Sequence, residues 1–148
     1  MVLILLSGCR GGQRPCGAAI NEQLDSRSTL HLFPGAPDPT YLTDPPTSGP
    51  HRLGNHPTGV LEAPIDRPRQ VAMLEKGAVL LQWKGLSPPQ RRALEKLAGG
   101  PVTVAPNATL PRAVVATAWT WKLSCASVDQ AELRRFIAAH AGHGPGHP

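Results

Sequence analysis

Aromatic side chains are scarce: three Trp, two Phe and one Tyr among 148 residues. So few rings leave little surface for base stacking, and no recognised nucleic-acid module is present, which excludes nucleic acid as the expected partner. No window approaches the roughly 20 apolar residues of a membrane-spanning helix, which excludes an integral helical transporter or channel. A nucleophile elbow, a P-loop and a dinucleotide fingerprint are all missing. Acids are few as well, ten Asp and Glu against 15 Lys and Arg, so the formal net charge of +5 reflects a want of acids more than basic clustering. Arg91-Arg92 and Arg134-Arg135 fall on expected helix faces away from the apolar positions, where solvated charge is the default. Cysteine is limited to three, an odd number. What is abundant is proline and glycine, 17 and 15 residues, nearly twice their ordinary share of roughly 12%. The 41% hydrophobic content is enough for one modest core in a single domain.

The odd cysteine count is addressed at the N-terminus. Residues 2–6 are uniformly apolar and lead into Leu6-Ser7-Gly8-Cys9, a tetrad that resembles a bacterial lipobox. The small residues Ser7 and Gly8 suit the signal peptidase, and the Cys9 thiol is the group that becomes a diacylglyceryl thioether. A signal peptide ordinarily runs to about 15–30 residues with a basic start. Residues 1–8 are therefore read as a truncated signal-like segment, its true start lying upstream. Lipidation of Cys9 leaves Cys16 and Cys125 as an even pair in an oxidising compartment, where a disulfide is the expectation and two separate buried thiols the alternative. Such a bridge would close a loop for which chain entropy alone suggests roughly 4–5 kcal/mol, as an upper figure.

Residues 9–30 read as a tether, and residues 31–141 as one domain that includes a long Pro-rich arm. Ten of the prolines lie between residues 10 and 69, where periodic apolar pattern is nearly absent. Regular structure is expected from Gln70. Val71–Leu74 and Ala78–Trp83 read as strands, the second as a buried one. Ser87-Pro88-Pro89-Gln90 reads as a capped helix start, ending at Gly99-Gly100. Val102–Val104 and Ala113–Trp119 read as further strands. Ser127-Val128-Asp129-Gln130 repeats the Ser-x-x-Gln cap, and Leu133, Phe136, Ile137 and His140 then form one apolar helical face. The order β-β-α-β-β-α predicts an α+β two-layer sandwich, each helix able to cover one sheet face. Residues 142–148 read as a flexible His/Gly/Pro tail, whose His140, His143 and His147 lack the preorganisation of a metal site.

The most distinctive string is Tyr41-Leu-Thr-Asp-Pro-Pro-Thr-Ser-Gly-Pro-His51. Its prolines fix φ and restrict the residues before them, giving a stiff segment that ends on one imidazole. Such a segment either positions His51 as a ligand or base, or packs as a surface loop.

PPTSGPH, followed by a V-x-x-L-E-x-G segment and later by V-A-T-A-W, resembles the domain-of-unknown-function family three-one-zero-five. Its members are mostly bacterial, commonly membrane-anchored, and without an assigned activity. Members typically read V-H-x-L-E-H-G, where this chain reads Val71-Ala72-Met73-Leu74-Glu75-Lys76-Gly77. Many also carry a histidine some 20 residues before PPTSGPH, matched here by His31. In a full-pattern member, three histidines and a glutamate imply a transition-metal site. Here Ala72 and Lys76 replace two of the histidines, which weakens a metal as the expected cofactor. Lys76 is expected to pair with Glu75 and stand in for the ion's charge. On a strand, Glu75 would point away from positions 72, 74 and 76, so a bulge or a turn at Gly77 would be needed to gather them. Thr120 stands where the family usually has Gly, between Trp119, expected in the core, and Trp121, expected at an edge or groove.

The leading expectation is an extracytoplasmic, lipid-anchored and non-enzymatic module of the bacterial cell envelope. It would bind a small ligand or an envelope protein through His51, Ser48, Glu75 and Lys76. The alternative is a metal-binding protein or metal-dependent enzyme using His31, His51 and Glu75. The two predict different placements: a metal site needs those three side chains together, and a scattered trio removes it.

Overall fold

The computed structural model describes residues 12–146. Residues 1–8, the lipidation candidate Cys9 and His147 lie outside the described residues. The fold is α+β, with one five-stranded mixed sheet in the order β1-β5-β4-β2-β3. Its elements are β1 (Ile20–Asn21), α1 (Arg67–Glu75), β2 (Val79–Trp83), α2 (Pro88–Glu95), β3 (Val102–Pro106), β4 (Val114–Ala118), β5 (Trp121–Cys125) and α3 (Gln130–His140). β2, α2 and β3 form a parallel crossover, while β4 pairs antiparallel with both β2 and β5.

Alternation along β2 divides the interior in two. Val79 and Leu81 join Leu94, Leu97, Leu133 and Phe136, so α2 and α3 cover one face together. Leu80 points the other way, to Met73 and Leu74 of α1. Each fully buried leucine of this kind contributes about 1.5–3 kcal/mol over its exposed state. On the α1 face an amide chain crosses the packing: Asn107 donates to Gln82, Gln82 to Gln70, and Gln70 to the Ile65 carbonyl.

Three local expectations are corrected. Val71–Leu74 is not a strand but the interior of α1. All four residues are buried, and a short apolar run carries no period that separates the two states. The start signal sits upstream, where the Asp66 carboxylate accepts from the Arg69 N–H at 3.0 Å with Pro68 in the first turn. Ser87 is at the N-cap of α2 but makes no side-chain cap bond. Gln90 instead accepts from Val128 N–H, so the box is not formed. α3 is capped by Asp129, which accepts from Glu132 N–H at 3.1 Å, rather than by Ser127.

Trp121 begins β5, a strand the expected order did not include. Ala118 faces Trp121 across a two-residue turn, in which Thr120 is forced to φ 60°. A β-branched residue is strained there, and glycine would not be. Trp119 is half-buried against the α1-side cluster, and Trp121 stacks on His140 with ring centroids 4.6 Å apart. His140 is thus part of the packing, and burial lowers its basicity.

The arm wraps this frame at both edges. Cys16 and Cys125 form a disulfide, 109 residues apart in sequence, with Gly17 N–H donating to the Ser124 carbonyl beside it. The two-residue β1 pairs with the start of β5, and Val60 bridges to Val104 at the outer side of β3.

Candidate functional site

Residues 45–51 are buried throughout, and their order comes from polar bonds to the arm. Ser48 Oγ accepts from Asp25 N–H at 2.9 Å, and Gly49 N–H donates to Ser28 Oγ at 3.0 Å. Tyr41 donates its hydroxyl to the Pro50 carbonyl at 2.7 Å. Thr47 donates to Glu22, which also receives Thr43 and faces the Lys122 ammonium at 2.9 Å. Gly49 has φ 127°, and a Cβ there would lie 2.9 Å from the Tyr41 ring, so no other residue fits. The string therefore packs and positions at once. Ser48, expected beside a ligand, is instead committed to the Asp25 backbone.

The positioning falls on two histidines. His51 N–H donates to the Leu30 carbonyl at 3.1 Å, and Leu32 N–H donates to the His51 carbonyl at 2.8 Å. This parallel bridge sets His31 opposite His51, with ring centroids 5.0 Å apart and planes at 72°. His31 is exposed and His51 is wholly buried.

Glu75 arrives from the last turn of α1. The helix stops because Gly77 takes φ 85°, with Ala78 N–H returning to the Met73 carbonyl at 3.0 Å. The Glu75 carboxylate comes within 2.9 Å of His51 Nε2. One donor atom each from His31, His51 and Glu75 lies within 4.8 Å of the others. The trio is gathered, not scattered. A helix also removes the conflict a strand posed, because positions 72 and 75, three residues apart, share one face of a helix.

The tautomer of His51 follows from its partners. Nδ1 lies 3.1 Å from the Gly49 carbonyl, which can only accept, so Nδ1 carries a hydrogen. In the neutral ring, Nε2 then presents a bare lone pair. That nitrogen is buried and has no hydrogen-bond partner, because the Glu75 oxygen is close but not in line for an N–H bond. A buried polar atom left this way costs about 1–3 kcal/mol. Two lone pairs at this separation repel unless a proton or a metal cation lies between them. The 2.9 Å gap is shorter than the roughly 3.4 Å that tetrahedral zinc at 2.0–2.1 Å sets between two donors, so an ion there would part the two groups by about 0.5 Å.

Lys76 does not fill that role. Its ammonium donates to the Gly54 carbonyl at 2.9 Å and is exposed. Adjacent residues on a helix do not face each other, so Lys76 points away from the carboxylate beside it. The expected Lys76–Glu75 pair is thus replaced by a His51–Glu75 pair.

Two neighbours complete the surroundings. His56, which no sequence signal marked beyond its being a histidine, is half-buried with both ring nitrogens buried and unpartnered. Burial, and then the charges of Lys76 and Arg69, lower its basicity. The first residues of the C-terminal tail return to the same place. Gly142 N–H donates to the Gly77 carbonyl at 2.8 Å, and Gly146 N–H donates to the Glu75 carbonyl at 3.0 Å. A Cβ on Gly77 would meet the Gly142 backbone at 2.8 Å, and one on Gly144 would run into the Glu75 carbonyl. The exposed side of His31 opens on a groove lined by Phe33, Pro34, Leu53, Arg52 and Arg69.

The model of a family described as protein of unknown function (DUF3105) matches residues 37–148. The match includes His51, Glu75 and the glycines of the tail, and begins after His31. No curated protein and no solved structure matches the chain.

Proposed function

The chain belongs to the DUF3105 family, and from that premise we propose that it binds a divalent first-row transition metal through His31, His51 and Glu75. The observation that carries this reading is the buried, unpartnered Nε2 of His51, set against a carboxylate oxygen with a second imidazole beside it. Two imidazoles and one carboxylate suit zinc or copper, and three protein donors leave a position open, as in catalytic rather than closed structural sites. The ion would draw the exposed His31 inward, while His51 and Glu75 are already held by the arm and by α1. The ligand-binding alternative through Ser48 and Lys76 has less support, since both side chains are engaged with backbone.

We place this centre outside the cytoplasm, on a lipid anchor at Cys9 that would hold it at the membrane of the bacterial cell envelope. The Cys16–Cys125 disulfide is consistent with an oxidising compartment. Among the described residues no helix is long and apolar enough to cross a membrane. Palmitate labelling in a bacterial host, lost on Cys9→Ser, tests the anchor.

Calorimetric titration of the metal-stripped protein with Zn²⁺ tests the site. One ion per chain is expected for the native protein, with affinity lowered at least tenfold in His51→Ala and in Glu75→Gln. Loss of an outer ligand partner alone commonly costs 10–100-fold. Absence of binding by the native chain, or equal binding by both variants, overturns the assignment.

A further inference from the structure

The groove beside His31 has two stiff walls. One is a tight turn in which Ala36 N–H donates to the Phe33 carbonyl at 3.1 Å, with Pro34 in second place and Gly35 third at φ 80°. Proline followed by a residue of positive φ is the pattern of a type II turn, so this corner is set by covalent geometry. The other wall, residues 52–54, is fastened to α1 at both ends. Arg52 N–H donates to the Pro68 carbonyl at 3.4 Å, and Lys76 donates to the Gly54 carbonyl at 2.9 Å. The Arg52 guanidinium ties the walls together, donating to the Phe33 and Ala36 carbonyls at 3.3 and 2.9 Å.

The walls hold open a space of about 590 Å³, within the range of roughly 300–1,000 Å³ usual for small-molecule sites. Its apolar surface does not serve the fold: Phe33 is 82% exposed and Leu53 64%, and neither joins a core cluster. Its charge is of one sign, since Arg52 and Arg69 line it and no acid does. Arg52 is committed to carbonyls and to Asp38. Arg69 meets Asp66 through Nε at 3.3 Å. A guanidinium has five N–H donors, so Arg69 keeps an edge for a second carboxylate. His31 lines the same groove, which brings one donor of the metal centre to it.

We propose that this groove binds an organic carboxylate with a hydrocarbon body. The body lies on Phe33, Pro34 and Leu53, and the acid head faces Arg69 and His31. A singly charged planar head matches one free guanidinium edge, and a carboxylate oxygen is also a fit fourth donor for zinc. The share taken by the ion rests on the metal site proposed above; the groove itself does not.

Octanoate serves as the probe, with acetate and octanol as the head and the body alone. Each is titrated into isotope-labelled protein and followed by amide chemical shifts. The native chain is expected to bind octanoate with a Kd below about 1 mM, the shifts centred on residues 31–35, 52–53 and 69. Acetate and octanol should bind at least about tenfold more weakly, and so should octanoate in Arg69→Gln and in Phe33→Ser. Both side chains are exposed, so the variants should fold, and their amide spectra show it directly. Saturation with Zn²⁺ should tighten octanoate by about threefold or more. Absence of shifts up to about 10 mM, shifts centred elsewhere, or native affinity in either variant overturns the groove. Octanol binding as well as octanoate overturns the carboxylate. A chain that binds zinc without tightening octanoate overturns the head's place at the ion. A chain that binds octanoate as described but no zinc overturns the metal site and upholds the groove.

Discussion

The sheet with its helices and the arm that wraps it are held by different forces. Leu81, Leu94, Val104 and Leu133 are wholly buried and make a core of hydrocarbon, whose cohesion is indifferent to acid. The arm instead displays large apolar side chains, Phe33 at 82% exposure among them. It is held by a disulfide, by Glu22 against Lys122, Thr43 and Thr47, by Ser48 and Ser28 against backbone, and by Arg27 on Asp25. Both histidines of the candidate centre belong to the arm, and only Glu75 comes from a helix. Metal binding should therefore be lost under conditions that leave the sheet intact.

The largest expected effect comes from the disulfide. Cys16→Ser with Cys125→Ser should cost up to about 4–5 kcal/mol by the chain-entropy account of a loop this long. The loss should appear as protease cleavage within residues 12–60 before the sheet melts; one coincident transition by both probes would show arm and sheet to be a single unit. Ser48→Ala strands the buried Asp25 N–H and should cost about 1–3 kcal/mol. Faster hydrogen exchange confined to the arm is expected, together with weaker zinc binding.

Acid should separate the regions further. Hydrogen bonds from Arg27 hold the Asp25 carboxyl below its ordinary range. Burial pushes Glu22 up, but hydrogen bonds from Lys122, Thr47 and Thr43 outweigh it and hold that carboxyl down too. Groups depressed on folding stabilise above their unfolded values, here near 3.8 and 4.5, and that contribution is lost as pH falls through the lower folded values. Below about pH 4 the arm should loosen while far-ultraviolet dichroism of the sheet and helices persists. The smallest effect has the opposite sign. Thr120 sits at the seam, donating its N–H to the Thr47 carbonyl and accepting from Glu22 N–H. Thr120→Gly relieves its positive φ and should stabilise by about 0.5–1 kcal/mol, read from the denaturant midpoint.

The same contrast explains what could be read from sequence. The run Val79–Trp83, the Ser87-Pro88 start and the apolar face of α3 are legible because burial and the fixed φ of a first-turn proline write themselves locally. Val71–Leu74 carries no such local mark, because α1 is buried on nearly all sides and shows no polar alternation. The family resemblance brought His31, His51 and Glu75 into one candidate set, but their convergence depends on a backbone bridge between two irregular segments, which leaves no periodic trace. His56 had no such company in sequence. It is distinguished by two unpartnered nitrogens, a property of packing.

The return of Gly142–Gly146 over Glu75 and Gly77 bears on how this protein should be handled. Gly146 already donates to the backbone of a candidate donor residue, so anything fused behind Pro148 is tethered beside the centre. A polyhistidine handle at that end would bring competing imidazoles to any ion added and counterfeit the stoichiometry being measured. A fluorophore at the same end, by contrast, would follow the segment that donates to the Glu75 and Gly77 carbonyls.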